Sequence, residues 1–189
     1  MAQKFHSYST QEATNIIAKR AAIRVTPTIT GVQYSNNDVL FDTTEIPDAV
    51  AYKGGASKLI NLTINSKSAS LIDIQLWFFQ ANQSAGTVNA TWNMSDGDFA
   101  SAKNLGCLYI SGNNLQQNPG GGRVYTIMQG YSGFTGATKT YPQIPLVLQA
   151  ESDSTSVYVA ARIASEDDPG NTTPSFSVGD LELVFGIDY

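Results

Sequence analysis

Reactive side chains are scarce in this sequence. Its 189 residues include one cysteine, Cys107, and one histidine, His6. A single thiol cannot close a disulfide within the chain and leaves no cysteine set to hold zinc, so the fold must stand without covalent staples. A Ser-His-Asp triad would have to draw its base from the amino-terminal segment, a poor place to hold one rigidly. Charge is thin as well. Asp, Glu, Lys and Arg make up 14% of the chain, against about 25% in an ordinary soluble domain. Much of the surface must therefore be Ser, Thr, Asn, Gln and Gly. Such surfaces are common on extracellular β proteins and on subunits of large assemblies, where dense charge would be desolvated or neutralised at every contact. The net charge of −5 argues against nucleic-acid binding, which relies on Lys and Arg displacing condensed counterions. Only Lys19, Arg20 and Arg24 come near one another, and a solvated face explains them. No apolar run approaches the length of about 20 residues that spans a bilayer. The opening "MAQKFHSYSTQEATNIIAKRAA" has no apolar signal core, so the sequence predicts neither a membrane segment nor a secretory leader.

What the chain does carry is alternation. Residues 1–20 read as an amino-terminal arm with a weak helix, in which Ser9 and Glu12 have capping-box spacing. Ala13, Ile16 and Ile17 give it one small apolar face that needs something to lie on, either a neighbouring subunit or nothing. Residues 21–189 read as one domain. Ile23 and Val25 among polar residues, followed by Pro27, predict an opening edge strand. The irregular stretch "GVQYSNNDVLFDTTEIPDAVAYKGG" reads as a crossing between sheets, with a turn at Asn36 and Asn37. "KLINLTIN" alternates Ile60, Leu62 and Ile64 against Asn61, Thr63 and Asn65, and "LIDIQLWFF" sets Ile72, Ile74, Leu76 and Phe78 against Asp73, Gln75, Trp77 and Phe79. The "SKSAS" linker is of hairpin length, which predicts that these two strands pair. Further runs end in Leu181, Leu183, Phe185 and Ile187 on one face and bring the total to about eight strands. Only the arm and "SDGDFASAKNL" look helical. Without crossover helices the simplest burial is antiparallel: an all-β, two-sheet sandwich, jelly-roll-like, with an amino-terminal arm.

The candidate chemical motifs have plainer readings. "NPGGGRVY" presents consecutive glycines and Arg123 like a phosphate loop, but strand alternation follows where a helix is required, so it reads as a loop. Asp96 and Asp98 around Gly97 start a calcium loop whose later ligands are missing, and a helix start capped by Asp96 fits better. Glu166, Asp167 and Asp168 are three adjacent acids before Pro169, a solvated loop with calcium as the alternative. Cys107 in "GCLYI" reads as a small core hydrophobe. Trp77, Phe79 and Trp92 are either packing and interface residues or a stacking platform for a glycan, helped by Asn82, Gln83 and Asn93. No pair of carboxylates is singled out for hydrolysis, and no enzyme or cofactor is expected.

"IRVTPTITGVQYSNNDV", "IPDAVAYKGGASKLINLTI", "IDIQLWFFQ" and "SDGDFASAKNLG", spanning residues 23–106, together resemble a group of tailed-bacteriophage structural proteins. The resemblance implies a virion component of β-sandwich type on the capsid surface, made in the host cytoplasm, and it carries over no catalytic residue. The expected function is a non-enzymatic capsid auxiliary or decoration protein. Its expected partners are the major capsid protein and copies of itself, as a trimer or other homo-oligomer, with no nucleic acid and no membrane. Ile16, Ile17, Trp77 and Phe79 are the expected contact residues. A tail or fibre-base component, or a carbohydrate-binding module, is the alternative.

Overall fold

A computed structural model describes residues 20–70, 73–112, 116–128, 144–164 and 174–189. Ten strands and one helix follow in order: β1 (Arg20–Val25), β2 (Val39–Ile46), β3 (Ala56–Ser66), β4 (Ile74–Phe79), α1 (Asp96–Ala102), β5 (Asn104–Ile110), β6 (Gln116–Gln117), β7 (Arg123–Met128), β8 (Leu146–Gln149), β9 (Val157–Ile163) and β10 (Leu181–Asp188). They form two antiparallel sheets. One has the order β1-β10-β3-β7-β6 with β8 also on β3, and the other has the order β2-β9-β4-β5. The chain therefore passes repeatedly from one sheet to the other, giving the interlocked strand order of a jelly roll. β7 and β8 lie end to end on one edge of β3, Met128 opposite Asn61 and Leu146 opposite Leu59.

The core lies between the sheets and draws on the inward-facing alternate residues of both. Leu181, Leu183, Phe185 and Ile187 of β10 meet Ile74, Leu76 and Phe78 of β4 and Val157, Val159, Ala161 and Ile163 of β9. Phe78 and Phe185 stand edge to face across the gap with ring centroids 6.1 Å apart, the arrangement favoured by the ring quadrupoles. Tyr34 is fully buried, and its hydroxyl accepts from the Thr30 N–H at 2.9 Å, so burying the phenol leaves its oxygen satisfied.

Three expectations need correction. β3 and β4 do not pair as a hairpin; they belong to opposite sheets, and the linker is a crossing. Two strands that each bury one face can pair side by side or stack, and alternation does not distinguish these. Ile60 is not in the inward set: a bulge between Gly186 and Ile187 shifts the register of β3 against β10, so Leu59, Leu62 and Ile64 point inward while Ile60 takes up the extra residue. The stretch read as an irregular crossing contains β2, whose Val39, Leu40, Phe41 and Ile46 are buried. The opening edge strand, the Asn36–Asn37 turn, with Asn37 at φ +72°, and the inward face of β10 are as expected.

Candidate functional site

The segment between β4 and β5 builds a second, smaller core on the outer face of the four-stranded sheet. Ser95 starts α1: its hydroxyl accepts the Asp98 N–H at 3.1 Å and donates to Asp98 Oδ2 at 2.7 Å. Asp96 and Asp98 place negative charge in the first turn, where unpaired N–H groups favour it. The cap is thus Ser95 and not Asp96. α1 sets Phe99 and Ala102 over the sheet. Phe79, Ala85, Ala102 and Ala160 form the buried centre, with Trp77, Trp92, Met94, Phe99 and Tyr158 packed around it. Phe99 meets Trp77 edge-on at 5.3 Å and Phe79 at 5.7 Å.

This cluster holds two of the four expected contact residues, Trp77 and Phe79. Phe79 is 0% exposed and offers no surface to a partner. Trp77 is half-buried against Phe99. What packs on them within the chain is not the other sheet but the helix α1 and its flanks. Trp92 packs on the same cluster and, like Trp77, is half-buried, while Phe79 is wholly enclosed. Ile16 and Ile17 lie outside the described residues, as do Glu166, Asp167 and Asp168. Cys107 is not a core residue: it stands opposite Trp77 on the outer face and is half-buried. Burial pushes its thiol pKa up, against smaller lowering effects of the Gln75 hydrogen bond and the Arg162 charge. A thiol so raised is protonated at neutral pH and a weak nucleophile.

The glycine loop is closed on itself. Asn118 Oδ1 accepts the N–H groups of Gly120 at 2.9 Å and Gly122 at 3.0 Å, and Arg123 Nε donates to the Ala69 carbonyl at 3.0 Å. An anion would have to displace these bonds. Beside α1 an open cleft of about 570 Å³ is lined by Asp42, Ser84, Thr87, Asn93, Met94 and Asp98 among others. Asp42 is committed to structure there, accepting from Ala85 N–H at 2.6 Å, Thr43 N–H at 2.7 Å and the Ser84 hydroxyl at 2.8 Å. Among the described residues no group of three or more metal-capable side chains gathers, and no helix is long and apolar enough to cross a membrane.

The outer face of the six-stranded sheet is different: no described helix lies on it. Its rows mix polar and small apolar residues, as in Arg24, Val184, Thr63 and Thr126. Thr63 and Thr126 hydroxyls share a hydrogen bond at 3.1 Å, and Glu182 Oε2 accepts from Asn65 Nδ2 at 2.8 Å and Arg24 Nη1 at 3.0 Å. Arg20 Nε stands 3.5 Å from Asp188 Oδ1. Two of the three cations near the amino terminus are thus paired within the sheet, and Lys19 lies outside the described residues. This face has no separate signal in the sequence, because its residues are the other half of strands read for their apolar half. No protein-family model, no curated protein and no solved structure matches the chain.

Proposed function

We propose that this chain is a non-enzymatic structural protein of a bacteriophage virion, a capsid auxiliary or decoration protein that binds the head surface and copies of itself. The strand order carries the reading: two sheets interlocked as a jelly roll, the architecture shared by viral capsid domains and lectins. Two further features support it. The outer face of the six-stranded sheet ties much of its polar surface by hydrogen bonds and ion pairs, so apposing it to another protein strands few charges. Residues 1–19 precede β1, which is an edge strand of that sheet. Weak contacts of this kind become strong when repeated over many lattice positions. Of the alternatives, the glycan module has less support, since Phe79 is enclosed and Trp77 and Trp92 give part of their surface to the cluster around α1. A tail or fibre-base role differs from decoration in stoichiometry.

The test is quantitative mass spectrometry of purified particles. Decoration predicts a copy number comparable to the major capsid protein; a few copies per particle would place the chain at the tail, and its absence would reject the reading. Removing residues 1–19 should leave a cooperatively melting domain that adds to particles at least tenfold less well. Loss of cooperative melting would show the arm to be part of the core.

A further inference from the structure

At the end of the six-stranded sheet where β3 stops and β10 starts, a groove of about 300 Å³ lies between the glycine loop and the turn before β10. Thr26, Asn65, Lys67, Asn118, Asp180 and Glu182 supply its polar side chains. Gly122 lets the loop lie against the end of β3, since a Cβ there would collide with the Ser66 carbonyl and stand 2.9 Å from Asn118 Nδ2. The larger polar side chains are each anchored through one atom. Asn118 Oδ1 takes the Gly120 and Gly122 N–H groups, Asp180 Oδ2 accepts the Ser177 N–H at 2.6 Å, and Glu182 Oε2 takes Asn65 and Arg24. Lys67 Nζ donates to the Gly179 carbonyl at 3.1 Å, which leaves two of its N–H groups over. Asn118 Nδ2, Asp180 Oδ1, Glu182 Oε1 and the Thr26 hydroxyl bond to no described residue. Donors and acceptors therefore stand side by side in a lining that is already ordered, so a ligand would not have to order it.

The lining selects a class of ligand by elimination. An anion would meet Asp180 and Glu182, and a cation would meet Lys67 and Arg24, so neither sign of charge gains. An apolar ligand finds little to bury against, because Leu181, the one hydrophobic side chain among the described lining residues, is 1% exposed. A neutral ligand whose groups each donate and accept satisfies both halves of the lining, and hydroxyls have that property. We infer that this groove binds a single saccharide ring, as a free sugar or the end of a glycan. Lys67 Nζ and Asn118 Nδ2 donate to its hydroxyl oxygens, and Asp180 Oδ1 and Glu182 Oε1 accept from its hydroxyl hydrogens. The volume is at the small end of the range for ligand clefts, about 300–1,000 Å³, and suits one ring rather than a chain. No described aromatic side chain lines it, so binding rests on hydrogen bonds and is weak, with a dissociation constant on the order of 1–10 mM. The groove is separate from the aromatic cluster around α1, and sugar binding is measured independently of copy number in particles.

The test is an NMR titration of the isolated full-length chain with glucose, galactose, mannose and N-acetylglucosamine, each as free sugar and as methyl glycoside, to about 100 mM, well above the expected dissociation constant. At least one should saturably shift the amides of Lys67, Gly179 and Asp180 and the side-chain NH₂ of Asn118, and glycerol should not. Tighter binding of the methyl glycoside would mark the end of a glycan as the ligand, and tighter binding of the free sugar a monosaccharide; either supports the inference. Thr26→Val combined with Lys67→Met removes a hydroxyl and a charged donor while keeping similar shapes, and should weaken binding about tenfold with the melting temperature unchanged. If that variant melts lower, the residues shifted in the unaltered chain decide. No saturable shift with any of these sugars, shifts confined to the cleft beside α1, or an equal response to glycerol would overturn the inference. Tighter binding of inorganic phosphate or of calcium ions at the same residues would overturn it as well, because the groove would then favour a charge.

Discussion

The two outer faces of the sandwich solve the same problem in opposite ways. Each sheet buries one side in the shared core and must do something with the other. The four-stranded sheet puts Trp77, Phe79 and Ala160 on its outer side and covers them with α1 and the segment around it. The six-stranded sheet puts Thr63, Thr126, Asn65, Glu182 and Arg24 there and ties them to one another by hydrogen bonds. The first face is therefore a piece of the fold, and the second is surface that can be given to an interface without exposing or stranding anything. Among the described residues, the uncovered face and the aromatic-rich face are different faces.

Mutation breaks the contrast most sharply at Phe79. Phe79→Ala removes a ring with no exposure from a cluster that α1 cannot collapse to fill, and about 4 kcal/mol of unfolding free energy should go with it, a large part of the 5–15 kcal/mol of a typical domain. Val184→Ala, on the outer side of β10, should cost about 0.5 kcal/mol or less. Urea unfolding of the two variants measures both, and similar losses would show that the outer face of the six-stranded sheet is covered too. A smaller effect comes from the cap. Ser95→Ala leaves the Asp98 N–H without its acceptor and should cost about 1 kcal/mol. Because α1 has seven residues and shields the aromatics, this variant should also increase quenching of Trp77 fluorescence by acrylamide. Loss of stability with no change in quenching would mean that the cluster holds α1 in place without its cap.

What could be read from sequence was periodicity, and it was read well where one face is apolar and the other polar. β10 was legible residue by residue, and so was the antiparallel, two-layer class. The outward Trp77 and Phe79 were correctly seen as apolar residues on the wrong side of a strand. Their cover was not, because α1 is seven residues long and buries only Ala102 fully, too little periodicity to show which sheet it serves. The misread Ile60 and the false hairpin share a cause. Alternation fixes which residues share a face but not where a bulge shifts that face, nor which strand lies alongside.

The smallest effect tests whether the polar face is held together or merely polar. The hydrogen bond from Asn65 lowers the Glu182 pKa below the usual carboxylate range, helped by the Arg24 hydrogen bond and charge and opposed by partial burial. The folded chain therefore holds a proton on Glu182 less tightly than the unfolded one. The sign follows: the stabilisation is fully present above the ordinary glutamate pKa of about 4.3 and disappears as pH falls through the lower folded value. Glu182→Gln keeps an acceptor for Asn65 but removes the charge. It should cost a few tenths of a kcal/mol near pH 7, small because solvent screens the Arg24 pair, and the difference from the unaltered chain should close as the pH is lowered from 7 to below the ordinary glutamate value. A difference that stays constant over that range would mean that Glu182 acts through shape or neutral hydrogen bonding, and that the charge on this face is dispensable to the fold.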